Sequence, residues 1–190
     1  MVTIMVKNQR KKKINFEWDE KEIKFWKDVS GGKLDDIDVM IYLALRENGR
    51  LSDTDLASIV GVSVPTARRR RLALQEKGLQ IIGLLLFEEF GMASADVIIK
   101  FKKNARREDI INFIKEASDN PKVFEIDEYI GEYDIIIKFF DKSFKELKRT
   151  IDSFLSGRTI IEKYIILPVV SSPKLFSKKM KYKHTNVHYW

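Results

Sequence analysis

Four consecutive arginines at positions 68–71 are the residues whose type and spacing point most directly to a chemistry. Ser63, a little upstream, is a good helix N-cap, because its hydroxyl can bond a free backbone N–H of the first turn. Pro65 falls in that first turn, where its missing N–H costs nothing. A short helix that begins in this way and carries four arginines is suited to enter a major groove and hold phosphates. A solvated charge run is the competing interpretation, and the stretch alone does not decide between the two.

Other chemistries have few candidate residues. The chain has no cysteine, which excludes disulfides and thiolate nucleophiles. His184 and His188, its only histidines, have a spacing that could bind a metal on a helix, but no third ligand or general base accompanies them. There is also no glycine-rich loop of the kind that cradles phosphates. We therefore expect no catalytic residues, no metal and no cofactor.

Charge is distributed unevenly along the 190 residues, which carry a net charge of +7. Residues 1–33 carry +4 and residues 171–190 carry +5, whereas residues 34–83 are neutral and residues 84–170 carry −2. The pattern suits a polyanion-binding part joined to a domain with another role. Apolar runs are too short for a membrane span and residues 1–6 are too short for a signal-peptide core, so we expect an intracellular, cytoplasmic protein with no membrane partner.

Two further helices are predicted before the arginine helix. Apolar residues recur at helical spacing through residues 34–47 and predict an amphipathic helix. Ser52 is a good N-cap for a second helix over residues 53–60, and Gly61 follows in a tight turn. Two short helices joined by a glycine-containing turn form a helix-turn-helix, with the arginine helix second. This context favours DNA binding over a merely solvated charge run.

The second half of the chain alternates predicted strands and helices. Its periodicity predicts strands over residues 95–102, 123–130, 135–140 and 160–167, and helices over residues 109–117 and after Ser143. The order βαββαβ is that of a ferredoxin-like sandwich.

Both faces of the predicted sheet are apolar. The two helices of this fold cover one face, so the other face should be polar. Large apolar residues nevertheless occupy both sets of alternating positions, and the sequence does not say which set faces the helices. Such a sheet predicts a partner sheet and therefore a homodimer. The two sets are Ile98, Ile136 and Phe140, beside Lys100 and Lys138, and Val97, Ile137 and Phe139.

Three segments flank or join the two domains. The apolar residues 81–90 predict a buried strand that leaves the first domain. A basic block at residues 10–13 could track the DNA backbone, although a solvated arm is the default, and a helix is predicted over residues 19–29. The lysine-rich tail could contact nucleic acid, although a mobile terminus is the default. The predicted divisions are residues 1–33, a basic extension; 34–83, the DNA-binding domain; 84–92, a linker strand; 93–170, the ferredoxin-like domain; and 171–190, a basic tail.

A spaced set of residues carries a family resemblance over roughly residues 34–170. In order and spacing they resemble the leucine-responsive/asparagine-type (Lrp/AsnC) transcription regulators. The resemblance implies an α+β protein with an N-terminal winged helix-turn-helix and a C-terminal ferredoxin-like βαββαβ sandwich that senses ligands and dimerises. It also implies double-stranded DNA as partner, homodimers that often assemble into tetramers or octamers, and an amino acid or other small molecule as effector. The residues are Leu34, Asp35, Asp38, Ile41, Leu45, Gly49, Arg50, Leu51, Ser52, Leu56, Ala57, Gly61, Val62, Ser63, Arg70, Leu74 and Gly78, with Gly131, Tyr133 and Asp134 later.

The resemblance divides the arginines between roles. Arg69 is expected to face base edges, where arginine can bind guanine with two hydrogen bonds. Arg68 is expected on the backbone, and Arg70 either contacts phosphate or ties the helix to a neighbouring acid. Arg71 departs from the family, which usually has an aliphatic residue there; it must snorkel, pair with an acid or shift the helix. The predicted DNA-binding residues are Arg50, Ser63, Pro65, Thr66, Arg68, Arg69 and Arg70.

The predicted effector-binding residues are Gly131, Tyr133 and Asp134. Gly131 permits a close backbone approach and Asp134 could accept a ligand's ammonium group; a tight turn with a local acceptor explains the same residues. The acidic residues around this turn could favour a cationic amino acid, or could simply pair with nearby basic side chains.

Two other functions compete with a sequence-specific regulator. The basic ends would suit an architectural DNA-binding protein of low sequence specificity. Some haem-pathway decarboxylases resemble the same two-domain family, but acid–base chemistry on a tetrapyrrole would want a histidine or comparable group inside the domains, and both histidines lie in the tail.

Overall fold

The structure, a computed structural model, describes residues 16–175 and 178–179. The basic block at residues 10–13 and the two histidines lie outside these described residues. The chain divides into two compact units between Gly83 and Leu84. No helix of the described part is long and apolar enough to cross a membrane.

Helices alone make up the described part of the first unit, and their ends follow from local capping. Asp35 and Ser52 each form a capping box with the acid three residues later, and the Ser63 side chain accepts from the Thr66 backbone N–H. The apolar faces of the helices meet in a core that includes Ile41 and Leu56, both fully buried. The predicted helix-turn-helix is confirmed. The helices are α1 (Glu20–Val29), α2 (Asp36–Glu47), α3 (Asp53–Val60) and α4 (Val64–Glu76).

Helix α1 belongs to the first unit, although the sequence predicted residues 1–33 to be an extension outside the DNA-binding domain. The Trp26 ring lies edge-on to the Tyr42 ring of α2, with 5.0 Å between centroids. Glu22 pairs with Arg46 of α2 at 2.6 Å. Aromatic burial and this ion pair pack residues 16–33 against the helix-turn-helix, and the domain boundary at residue 34 stays a prediction.

The second unit has the predicted ferredoxin-like topology, in which one antiparallel sheet is covered by two helices. The strand order is β2-β3-β1-β4. The fully buried side chains Val97, Ile137 and Phe139 lie on the helix-covered face with Phe113 and Ile151. The set Ile98, Ile136 and Phe140 therefore occupies the face without helices. The elements are β1 (Ala93–Phe101), α5 (Arg107–Ser118), β2 (Val123–Glu128), β3 (Ile135–Asp141), α6 (Phe144–Leu155), β4 (Ile161–Pro168), and a short pair β5 (Lys174–Leu175) and β6 (Lys178–Lys179).

A buried carboxylate joins the end of β3 to α6. Asp141 accepts hydrogen bonds from the Lys122 ammonium and the Thr150 hydroxyl, both at 2.7 Å. Its other oxygen accepts from the Lys142 backbone N–H. These donors, led by Lys122, outweigh burial and lower the pKa of Asp141 to about 2. The charged carboxylate thus ties Thr150, in the middle of α6, to the end of β3.

The predicted strand over residues 81–90 and the predicted linker strand over residues 84–92 are both wrong. This stretch has irregular backbone and then a single 3₁₀ turn at Phe87–Phe90. Most of its side chains are exposed, and Ile82 retains 62% of its surface. Apolar composition could not make a strand here because no described strand pairs with these residues. Phe87 instead stacks on Phe140, with 4.6 Å between ring centroids.

Candidate nucleic-acid interface

The turn between α3 and α4 fixes the direction in which α4 leaves the unit. Gly61 ends α3 with φ of 78°, the left-handed conformation that glycine adopts without a Cβ penalty. The backbone N–H groups of Gly61 and Val62 both donate to the Ala57 carbonyl. Ser63 then caps α4, and Ala67 and Leu74 anchor its inner face in the core. These contacts leave the opposite face of the first turns of α4 exposed.

The four arginines of α4 divide into two pairs. Arg68 and Arg69 are exposed, and neither has an ion-pair or hydrogen-bond partner among the described residues. Arg70 and Arg71 are partly buried and pair with carboxylates of α2 and α3. Consecutive helical residues point about 100° apart, so one run of four reaches both solvent and the neighbouring helices. Among the described residues, the first pair is therefore free of internal ion pairs and the second pair is not.

Arg70 ties α4 to the start of α2. Its guanidinium lies 2.7 Å from Asp35 and 3.2 Å from Asp38, which is buried. Burial alone would raise the pKa of Asp35, but the Asp38 backbone N–H and the Arg70 charge hold that pKa below its usual value. Of the two roles that the sequence left open for Arg70, the structure favours the tie to neighbouring acids. A contact of Arg70 with DNA stays a prediction.

Arg71 pairs with the acid that begins α3. Its Nε lies 2.8 Å from Asp53 Oδ1, and a terminal nitrogen donates to Asp53 Oδ2 at 3.2 Å. Both side chains are about three-quarters buried, with 26% and 20% of their surface exposed. Arg71 stands where an aliphatic residue is usual, and its charge is thus paired with an acid. Such a pair is one of the three outcomes that the sequence predicted for Arg71. Asp53 was not singled out by sequence, because its spacing also suits an ordinary first-turn acid.

The remaining predicted DNA-binding residues lie around the start of α4 or in the loop after α2. Pro65 and Arg50 are exposed, and the Arg50 backbone N–H donates to the Asn48 side chain. Thr66 is half-buried, and its hydroxyl lies 2.8 Å from that of Ser63. The Ser63 oxygen is therefore occupied by its capping contacts.

In the second unit, the predicted effector residues lie in and beside the turn between β2 and β3. Asp134 Oδ2 accepts from the Phe101 backbone N–H at 2.7 Å, which ties the turn to the end of β1. Tyr133 is half-buried, with the Lys163 ammonium 4.8 Å from its ring centroid. Apart from the two chain neighbours of Gly131, no heavy atom of the described residues lies within 4 Å of the place where a Cβ on Gly131 would be. Asp134 thus has the local acceptor role that competed with ligand binding, while open space remains at Gly131.

Lysines pair with three of the acidic residues around this turn. Lys138 pairs with Glu125 at 2.6 Å and lies 3.6 Å from Asp127. Lys163 pairs with Glu132 at 2.8 Å and lowers the pKa of that carboxyl. Pairing with nearby basic groups, the second explanation of the acidic stretch, is what the structure shows.

Comparisons with known proteins decide the family. Residues 34–79 match the winged helix-turn-helix DNA-binding model. The HTH-type transcriptional regulator PH1055 of Pyrococcus horikoshii is 33% identical over 136 residues, which cover 71% of this chain and 86% of that protein. AsnC of E. coli superposes with a TM-score of 0.62 at 21% identity, over 75% of this chain and 95% of its own. The chain belongs to the Lrp/AsnC family of transcriptional regulators. Its resemblance to that family is thereby confirmed.

Another solved regulator of the same fold was crystallised with a ligand. NMB0573 of Neisseria meningitidis, in complex with L-Met, superposes with a TM-score of 0.67 at 23% identity, over 75% of this chain and 94% of its own. As an Lrp/AsnC regulator, this chain binds DNA through its helix-turn-helix, of which α4 is the second helix. The matched region begins at residue 34, so α1 is an addition to the part that the winged helix-turn-helix model covers.

Proposed function

We propose that two copies of this chain bind one pseudo-palindromic DNA site, each copy with α4 in a major groove. The observation that carries the proposal is the division of the arginines: Arg68 and Arg69 are exposed and unpaired among the described residues, whereas Arg70 and Arg71 are held internally. An unpaired guanidinium on the exposed face of a capped helix can bind guanine or phosphate without first breaking an ion pair. Half-sites then lie about one helical turn, or a multiple of it, apart.

Each predicted DNA-binding residue has a proposed role. Arg69 reads a base edge, and the Thr66 methyl and Pro65 contact bases nearby. Arg68 and Arg50 bind phosphates and so set the position of the helix without reading sequence. Ser63 acts through its cap, which aligns the first backbone N–H groups of α4. Arg70 supports the site by fixing α4 to α2.

The open face of the sheet supplies the proposed dimer contact. Ile98, Ile136 and Ile165 form a row across three adjacent strands, and Phe124 and Leu167 lie nearby with about half of their surface exposed. A sheet face of this composition is stable when another sheet covers it. We propose a second copy in that place, with tetramers or octamers built from such dimers.

Selection of bound fragments from genomic DNA, followed by footprinting of the recovered fragments, tests the proposed function. A regulator that reads sequence should protect discrete sites with two half-sites on one face of the duplex. Continuous protection that spreads with protein concentration would show architectural binding instead and would overturn the proposal.

We propose an amino-acid effector at the turn between β2 and β3. The open space beside Gly131, the half-buried Tyr133 and the second oxygen of Asp134 support it, as does the L-Met complex of the Neisseria regulator. A neutral amino acid suits the site better than a cationic one, because Lys138 and Lys163 already pair with three of the neighbouring acids.

Isothermal titration of the protein with each amino acid tests the effector. We expect heat with at least one neutral amino acid and its loss in Asp134→Ala, with Asp109→Ala on α5 as a matched control that keeps binding. Absence of heat with every amino acid would contradict the proposal.

A further inference from the structure

Two charged residues on the central strand of the open face have no ion-pair partner within 4.0 Å among the described residues. Asp96 and Lys100 lie on β1, both half-buried, and point to the same side of the sheet as Ile98 between them. The neighbouring charges of this face are already paired, since Lys138 holds Glu125 and Lys163 holds Glu132. Within the described part of the chain, one acid and one base are therefore left without an ion-pair partner.

The surroundings of Asp96 favour a positively charged group beside it. Partial burial raises the pKa of Asp96, Lys138 opposes that shift, and Glu125 and Asp127 add to it. Lys138 lies across from Asp96 in the sheet register, but its ammonium is 2.6 Å from Glu125. Covering this face would desolvate Asp96 further, so a cover that keeps this carboxylate charged must bring a positive group to it.

The spacing of Asp96 and Lys100 allows two copies of this face to pair acid with base. Asp96 and Lys100 lie two residues on either side of Ile98, each about 7 Å from it along the strand. Ile98 is flanked in register by Ile136 on β3 and Ile165 on β4, an apolar row across the middle of the face. A two-fold axis that runs along this row, between two stacked sheets, places each Asp96 over the Lys100 of the other copy. Packed sheets lie about 10 Å apart, a gap that an aspartate and a lysine side chain together can span.

We infer that a second copy of the chain packs on this face about a two-fold axis at Ile98, with Asp96 of each copy paired to Lys100 of the other. The inference rests on the proposed homodimer and adds its register: the two β1 strands lie over one another in opposite directions. The charges select this arrangement, because the apolar row alone would also allow the sheets to be rotated or shifted. With an axis parallel to the strands, Asp96 would instead meet Asp96 of the other copy if the axis lay over β1. It would meet Lys138 if the axis lay between β1 and β3, but Lys138 already serves Glu125 and Asp127.

Charge reversal in the full-length chain tests the register, with the dimer dissociation constant measured by sedimentation equilibrium. Asp96→Lys alone and Lys100→Glu alone each create two like-charge contacts across the axis. Each should raise the dissociation constant about 100-fold or more, since close charge pairs across interfaces couple strongly. The double variant in one chain, Asp96→Lys with Lys100→Glu, restores both pairs in reversed sense and should return the constant to within about tenfold of wild type.

An equimolar mixture of the two single variants provides a second readout. Each heterodimer contains two opposite-charge pairs, so native mass spectrometry should show heterodimers in large excess over either homodimer. This recovery also shows that both single variants fold. A double variant that folds but does not recover the wild-type constant would overturn the register while leaving the dimer intact. Single variants that dimerise as tightly as wild type would overturn it too, whereas a monomeric wild-type protein would contradict the proposed dimer itself.

Discussion

Arg69→Ala should reduce the preference of this regulator for its selected DNA site over unrelated DNA by roughly ten- to a hundredfold. A guanidinium that binds guanine through two hydrogen bonds discriminates against other bases by about 1–3 kcal/mol. Arg69 is exposed on α4 and is not held by any carboxylate among the described residues, so its removal should disturb neither the fold nor the helix position. Fluorescence anisotropy with the selected duplex and a scrambled duplex, at one fixed salt concentration, measures the preference.

Arg68→Ala is the matched control, since it removes the neighbouring exposed arginine from the same helix. A phosphate contact carries no sequence information, so this variant should weaken binding to both duplexes by the same factor. The slope of log affinity against log salt should also decrease in magnitude by about 1. If both variants lose affinity for the two duplexes equally, the division of roles between the arginines is wrong.

Trp26→Ala should lower the stability of the DNA-binding unit by about 2 kcal/mol, because α1 is part of that unit. The indole packs edge-on to Tyr42 and is half-buried, so the loss should be below the 3–5 kcal/mol typical of fully buried tryptophans. The Glu22–Arg46 and Lys27–Asp36 pairs would remain but depend on the same docked helix. Hydrogen exchange of the α2 amides measures this unit separately from the sheet unit.

Val29→Ala serves as the control for Trp26→Ala. Val29 is also an apolar residue of α1, but 63% of its surface is exposed. It should change α2 exchange by less than about 0.5 kcal/mol. Protection of α2 that is unaffected by Trp26→Ala would mean that α1 contributes nothing to the stability of the unit.

Local signals in the sequence predicted most of the fold. Ser52, Ser63 and Gly61 specify helix ends through contacts with residues a few positions away, and the structure has these ends where the sequence placed them. Alternation along β1 correctly separated Val97 and Ile99 from Ile98. The face that receives the helices depends on long-range packing, and periodicity could not choose it.

The features that the sequence alone did not reveal all depend on partners that are distant in sequence. Residues 81–90 are apolar enough for a strand, but a strand needs a ladder that composition cannot supply. Helix α1 was predicted close to its observed bounds, whereas its contact with Tyr42 and Arg46 could not be deduced from spacing. The charge of Arg71 was recognised as a departure, and its partner Asp53 became evident only with α3 and α4 side by side.

A cycle that combines one protein change with one DNA change tests the central claim, that α4 reads sequence through Arg69. Binding of wild type and of Arg69→Ala is measured on the selected duplex and on a duplex in which the guanine nearest α4 in each half-site is replaced. We predict that Arg69→Ala costs at least tenfold on the selected duplex and almost nothing on the altered one. Equal costs on both duplexes would show that Arg69 does not contact that base, and would contradict the account.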